Sequence, residues 1–303
     1  MHISVYLLLL APFALAMLGP QLGRRLAPAA AVRALTLLSL VATAAMVWGL
    51  TALTVGGLGR TDVFQDQAHS SPVALAVDDP VPDVLGALAA GLLTVSLLRA
   101  LAVMWRRWSA VRALAPLRKQ PAAGDLVVVR SDRPDAYALP GRSRRIVVTS
   151  AMLRALPADE QAVLLAHERA HLLHRHHLYA GVAETAAACN PLLRPVRDLV
   201  AFQIERWADE EAAQSTGSRL LAARSLARAA LAIADATRMR EPQGVLAYLR
   251  HKVTARVGAM RAERPTSHWG AVSPALAVTV LTGLAFAEVT SDFARCLHVL
   301  HLF

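Results

Sequence analysis

The chain has 303 residues, 55% of them hydrophobic and 18% charged, with a mean hydropathy of +0.40. That balance excludes a disordered chain, and several apolar runs of about 20 residues exclude an ordinary soluble enzyme in favour of a polytopic membrane protein. The formal charge of +10 comes with no basic stripe interleaved with aromatics, so it is assigned to membrane topology and lipid headgroups, and no nucleic-acid partner is expected.

The first apolar run, Ile3 to Leu18, is uncharged and is followed by Arg24 and Arg25. No basic stretch precedes it, which predicts a first transmembrane helix rather than a cleaved signal. Further spans are predicted at about 34–58, 84–105 and 271–289. The first connection carries Arg24, Arg25 and Arg33, whereas the second sets Arg60 against Asp62, Asp66, Asp78, Asp79 and Asp83. Arg106, Arg107, Arg112, Arg118 and Lys119 follow the third span. Positive loops stay inside, so the stretch from about 106 to 270 is expected in the cytoplasm of a multi-pass cell-membrane protein, with both termini extracytoplasmic. Trp105 and Trp108 are expected as interfacial anchors. Thr94 and Ser96 should bond their own helix or a neighbour, and Arg99 and Glu288 should snorkel from near helix ends.

The predicted organisation is a membrane region over 1–105, an α+β domain over 106–270, and a last span with a short extracytoplasmic tail over 271–303. Within the domain, Leu126 to Arg130 and Ile146 to Thr149 read as strands joined by a loop that contains Ala136-Tyr-Ala-Leu-Pro-Gly141. Pro157-Ala-Asp-Glu160 marks the start of a helix expected to run through about His177.

That helix holds His167-Glu168-Arg169-Ala170-His171. Two histidines four residues apart share a helix face and can ligate one Zn²⁺, with Glu168 beside them as base. The two cysteines, Cys189 and Cys296, have no CxxC spacing, so a metal would rely on histidine and carboxylate. Cys189 itself reads as a small buried side chain. The bland alternative is a polar helix face on which Arg169 pairs with Glu168.

Thirty-four residues after His171 comes Glu205-Arg-Trp-Ala-Asp209, a second i, i+4 pair. Glu205 is the candidate third ligand, and Asp209 could orient a ligand histidine from behind. His177 and His174 remain alternative third ligands, because His177 falls where a metzincin's third histidine would lie and His174 shares the face of the first two. Two histidines and one glutamate leave a coordination position open for water, as in hydrolytic sites. Tyr137, His174 and Arg206 are the candidate oxyanion donors, and His176 is expected to be solvated. The strand Ile146 to Thr149 could receive an extended substrate or be a core strand.

Taken in order, Ala138-Leu-Pro-Gly141, Ile146-Val-Val-Thr149, Asp159-Glu160, His167-Glu-Arg-Ala-His171, Asn190-Pro191 and Glu205-Arg-Trp-Ala-Asp209 resemble the M56 family of membrane-embedded gluzincin peptidases, which includes the BlaR/MecR transducers. The M48 peptidases are a more distant likeness. The resemblance implies a zincin-like cytoplasmic domain, zinc on His167, His171 and Glu205, Glu168 as general base, and a protein or peptide substrate such as a cytoplasmic repressor. About a dozen residues follow the last span, so β-lactam sensing is not expected. The stretch with Arg256, Arg261 and Arg264 resembles the family's basic segment, without an assigned role. The expected activity is that of a membrane zinc metalloendopeptidase; the alternative is a non-hydrolytic zinc-binding signalling or scaffold protein in the membrane.

Overall fold

The structure, a computed structural model, describes residues 2–58, 82–141, 144–237, 253–263 and 266–299. The acidic connection with Asp62, Asp66, Asp78 and Asp79, and Arg264, lie outside the described residues. Among the described residues the chain is mainly helical, with four helices long and apolar enough to cross a membrane and one small sheet.

The first two of those helices, α1 (His2–Arg25) and α2 (Pro28–Leu58), are joined by a two-residue turn. α1 runs past its predicted end to Arg25, placing Arg24 and Arg25 in its last turn, where cations suit the helix dipole. The third, α3 (Asp83–Ala113), buries Gly86, Ala89, Ser96 and Ala100 while Val84, Leu88, Leu92 and Val95 stay exposed. Small residues inside and large apolar ones outside is the packing pattern of helices in lipid. At the crossing with α2, a Cβ on Gly86 would lie 2.8 Å from the Gly57 Cα, so only glycine permits that approach.

The sheet has the order β1-β3-β2, with β1 (Leu126–Val129), β2 (Ala136–Leu139) and β3 (Arg145–Thr149). β3 pairs in parallel with β1, Val127 opposite Val147, and antiparallel with β2, Ala138 opposite Ile146. One sequence expectation is thereby corrected and one open choice is resolved. The stretch 136–139, expected as loop, is a strand, because although it runs directly into Pro-Gly it pairs with the β-branched residues of β3. Ile146 to Thr149, which could have been a substrate-receiving edge, is the central core strand, paired on both sides and buried at four of its five positions.

The Thr149 hydroxyl accepts from the Met152 N–H and caps α4 (Ser150–Ala155). α5 (Ala158–Leu173) opens after Pro157 with Asp159 and Glu160 in its first turn. It stops four residues short of His177: Arg175 adopts a left-handed conformation with φ 52°, and the chain restarts as α6 (His176–Cys189). α7 (Arg194–Thr216) ends at Gly217, φ 72°, a position that favours glycine, and α8 (Arg219–Thr237) follows. Residues 253–261 are helical and are called α9; α10 (Ser273–Val299) is the last long apolar helix.

α6 and α7 do not form a core apart from the membrane helices. Leu15, Leu22, Val32 and Leu35 of α1 and α2 share one buried cluster with Ala183, Val196, Val200, Ile204 and Trp207. The C-terminal end of α6 reaches α3, where the Ser96 hydroxyl donates to the Cys189 carbonyl at 2.9 Å. Cys189 is buried. Gln203 donates to the Gly23 carbonyl at 2.6 Å, and a Cβ at Gly23 would collide with Leu199. Thr94 bonds its own helix at the Ala90 carbonyl. Glu288 does not snorkel alone: it accepts a 2.6 Å hydrogen bond from Ser4 of α1.

Candidate metal centre

α5 packs against α7 and against the sheet edge at β2, which turns one face of α5 into a shallow chemical site. Because residues four apart lie one above the other on a helix, His167 and His171 on α5 face Glu205 and Asp209 on α7. The His167 and His171 Nε2 atoms are 3.1 Å apart. Glu205 oxygens lie 3.6 Å from His167 Nε2 and 3.7 Å from His171 Nε2. Ligand atoms on a tetrahedral zinc, each at about 2.0–2.1 Å, sit about 3.3 Å from one another. The three side chains therefore fit zinc in donor type and in spacing, and they form a potential metal group among the described residues.

Further side chains hold these three from behind. His167 turns Nδ1 to the Asp209 carboxylate at 3.1 Å, and His171 turns Nδ1 to His176 Nδ1 at 3.0 Å. Arg256 of α9 reaches back with a two-point contact to Asp209, at 2.8 and 2.7 Å, and a third contact to Glu205 at 2.9 Å. Such outer contacts fix ring tautomers and carboxylate angles around a metal. The Glu205 side chain is 38% exposed against 13% for His167 and 18% for His171, so the group opens toward solvent on the glutamate side.

Charge is apportioned accordingly. Burial disfavours a proton on His167, but the carboxylates of Asp209 and Glu205 outweigh it and push its pKa up to about 10. Burial, reinforced by His167, drives His171 down to about 4. Burial opposes ionisation of Glu205, yet the His167 hydrogen bond and the Arg256 cation hold it well below the ordinary carboxylate range. Metal ligation needs both imidazoles neutral, so an ion would displace the extra proton that the carboxylates favour on His167.

Glu168 lies on the same helix, buried, with its pKa raised by that burial. The Ala138 N–H of β2 donates to its carboxylate. Arg169 does not pair with it; the guanidinium instead holds Asp125, just before β1, at 2.8 and 3.0 Å. That contact ties α5 to the sheet and keeps the Asp125 carboxyl below its usual range.

The alternative ligands fall elsewhere. His174 caps α5, stacks on Trp207 with ring centres 4.5 Å apart, and faces Glu211 at 3.5 Å. His177 gives its carbonyl to Arg107 of α3. Neither joins the metal group. Nor do the candidate oxyanion donors reach it: Tyr137 packs with Val127 and Val147 on the opposite sheet face, and Arg206 donates to Gln203. His176, expected to be solvated, is buried at 2% exposure behind His171. The left-handed turn at Arg175 brings it there, and no helical spacing announces such a turn.

Residues 106–244 match the family model of Peptidase family M48, which supports a metallopeptidase domain over that stretch. The match falls on the family that the sequence motifs resembled more distantly, and M48 peptidases are zinc metallopeptidases. No curated protein and no solved structure matches the chain.

Proposed function

We propose that this protein is a membrane-integrated zinc metalloendopeptidase that hydrolyses peptide bonds at the cytoplasmic face, with His167, His171 and Glu205 as metal ligands and Glu168 as general base. The observation that carries this reading is the convergence of the three ligand side chains within 4.8 Å of one another on one open face. Zinc held there would supply Lewis acidity toward a peptide carbonyl and toward water.

The chain's own residues do the rest. Glu168, with a raised pKa in a buried setting, accepts the proton of the attacking water and returns it to the leaving amine. Asp209 and His176 hold the two histidine rings in one orientation. β2 is an edge of the sheet beside Glu168, and its outward backbone groups suit an extended peptide whose side chains are read little. The order of motifs and the three-plus-one placement of apolar helices resemble the M56 layout, which favours regulatory cleavage of a cytoplasmic repressor or of a membrane protein.

The test is zinc content and casein hydrolysis by the detergent-purified chain, each variant being checked for folding. About one zinc per chain is expected in wild type, lost in His167→Ala and Glu205→Ala and kept in His177→Ala and Glu168→Gln. Hydrolysis should fall by about 10²–10⁴ in Glu168→Gln. A folded wild type that takes up no zinc at saturation would falsify the peptidase reading, and retention in Glu205→Ala with loss in His177→Ala would replace the third ligand.

A further inference from the structure

Between α3 and the α6–α7 corner lies a cavity of about 470 Å³ that has no part in the metal centre. Its charged lining is Arg99, Arg106 and Arg107 from α3, Glu184 from α6, and Arg194 and Arg197 from the first turns of α7. The α3 arginines fall at i, i+7 and i+8, one face of the helix two turns apart. The space exists because the facing positions are small: Ala187 and Ala188 of α6 and Ala102 of α3.

Five guanidinium groups face one carboxylate here. Arg107 is neutralised by Glu184 and further held by the His177 carbonyl, and Gly181 leaves room for its guanidinium. Arg197 is neutralised by Asp198. The half-buried Arg99 and the exposed Arg106 and Arg194 have no hydrogen bond or ion pair from their side chains among the described residues. Three such cations around one cavity, unpaired among the described residues, repel one another, so an anion placed between them would be favourable. The cavity's place in the membrane indicates which anion. It lies where α3 passes from the exposed apolar positions Leu92 and Val95 to Arg106, Arg107 and Arg112, level with the exposed Trp105 and Trp108.

We propose that this cavity is a binding site for a phosphate-bearing anion, with guanidinium forks on the phosphate oxygens, and that an anionic phospholipid headgroup supplies it. Leu92 and Val95, both exposed, lie two turns and one turn before Arg99 on the same face of α3 and offer an apolar track for an acyl chain. Forked hydrogen bonding suits arginine to phosphate. The site is independent of peptide hydrolysis.

Native mass spectrometry of the full-length protein in dodecyl maltoside, with added phosphatidylglycerol or phosphatidylcholine, tests this. Wild type should hold about one phosphatidylglycerol, preferred about tenfold or more over phosphatidylcholine. The preference should vanish in Arg99→Gln/Arg106→Gln/Arg194→Gln and survive in Arg130→Gln/Arg133→Gln/Arg154→Gln, which removes equal charge on the sheet side. A second arm adds millimolar inorganic phosphate without lipid. If phosphate raises the melting temperature of wild type but not of the cavity variant, and displaces the lipid, free phosphate is an occupant of the same site; if it does neither, the lipid is the source. A wild type that shows no preference and no response to phosphate overturns the proposal, as does equal loss in both triple variants.

Discussion

At the scale of single residues, the site divides into side chains that sequence spacing reveals and side chains that it hides. His167, His171, Glu205 and Asp209 are legible because each pair obeys the helical four-residue repeat, a rule that needs no knowledge of the fold. His176 is hidden by a five-residue step across the left-handed Arg175, a residue type that gives no warning of a turn. Arg256 is hidden by distance, 47 residues beyond Asp209, and by its company among other arginines that read as a basic surface. Yet Arg256 holds both acidic members of the site at once. Arg256→Gln and Asp209→Asn should each leave a folded protein whose zinc affinity is lower by about 10–100-fold, measured by competition with a chelator of known affinity. Unchanged affinity in both would make the contact a staple of α9 with no bearing on the metal.

Among elements, periodicity and turn chemistry predicted the apolar helices, α5 and two of three strands. β1 and β3 stand out as β-branched runs. β2 does not, since Ala-Tyr-Ala-Leu before Pro-Gly has the composition of a loop, and only pairing with β3 makes it extended. This is the strand whose Ala138 N–H touches Glu168, so a missed element is also the missed wall of the site. Gly217 shows the reverse case, a position whose role follows from one dihedral angle. At φ 72° it turns the chain from α7 into α8, and a Cβ there meets nothing within 4 Å. Gly217→Ala should therefore lower stability through backbone strain alone, by about 1 kcal/mol. Thermal unfolding in detergent measures this; an unchanged melting temperature would mean that the turn relaxes without cost.

For the whole molecule, sequence reasoning drew a boundary near residue 105 because charge and hydropathy change there. The α6–α7 part of that stretch crosses this line: it buries Ala183, Val196, Val200 and Trp207 against α1 and α2. Residues 106–270 expressed alone should accordingly be insoluble or unfolded, judged by sedimentation and amide exchange, and a soluble, folded, zinc-binding fragment would contradict the shared core. Orientation can be tested in the intact chain. Asp132, fully exposed beside the sheet, can carry a reporter thiol as Asp132→Cys in a Cys189→Ser/Cys296→Ser background. An impermeant maleimide should label it in inverted vesicles and not in intact cells; the opposite pattern would reverse the topology. α6 links these scales. Its first residue steadies His171, and its last is bonded to Ser96 amid α3, 14 residues and about 20 Å away. The helix is one rigid piece tied to α3 at one end and to the ring behind His171 at the other. In the proposed reading, that makes α6 the element through which a change in membrane thickness would reach the imidazole of a metal ligand.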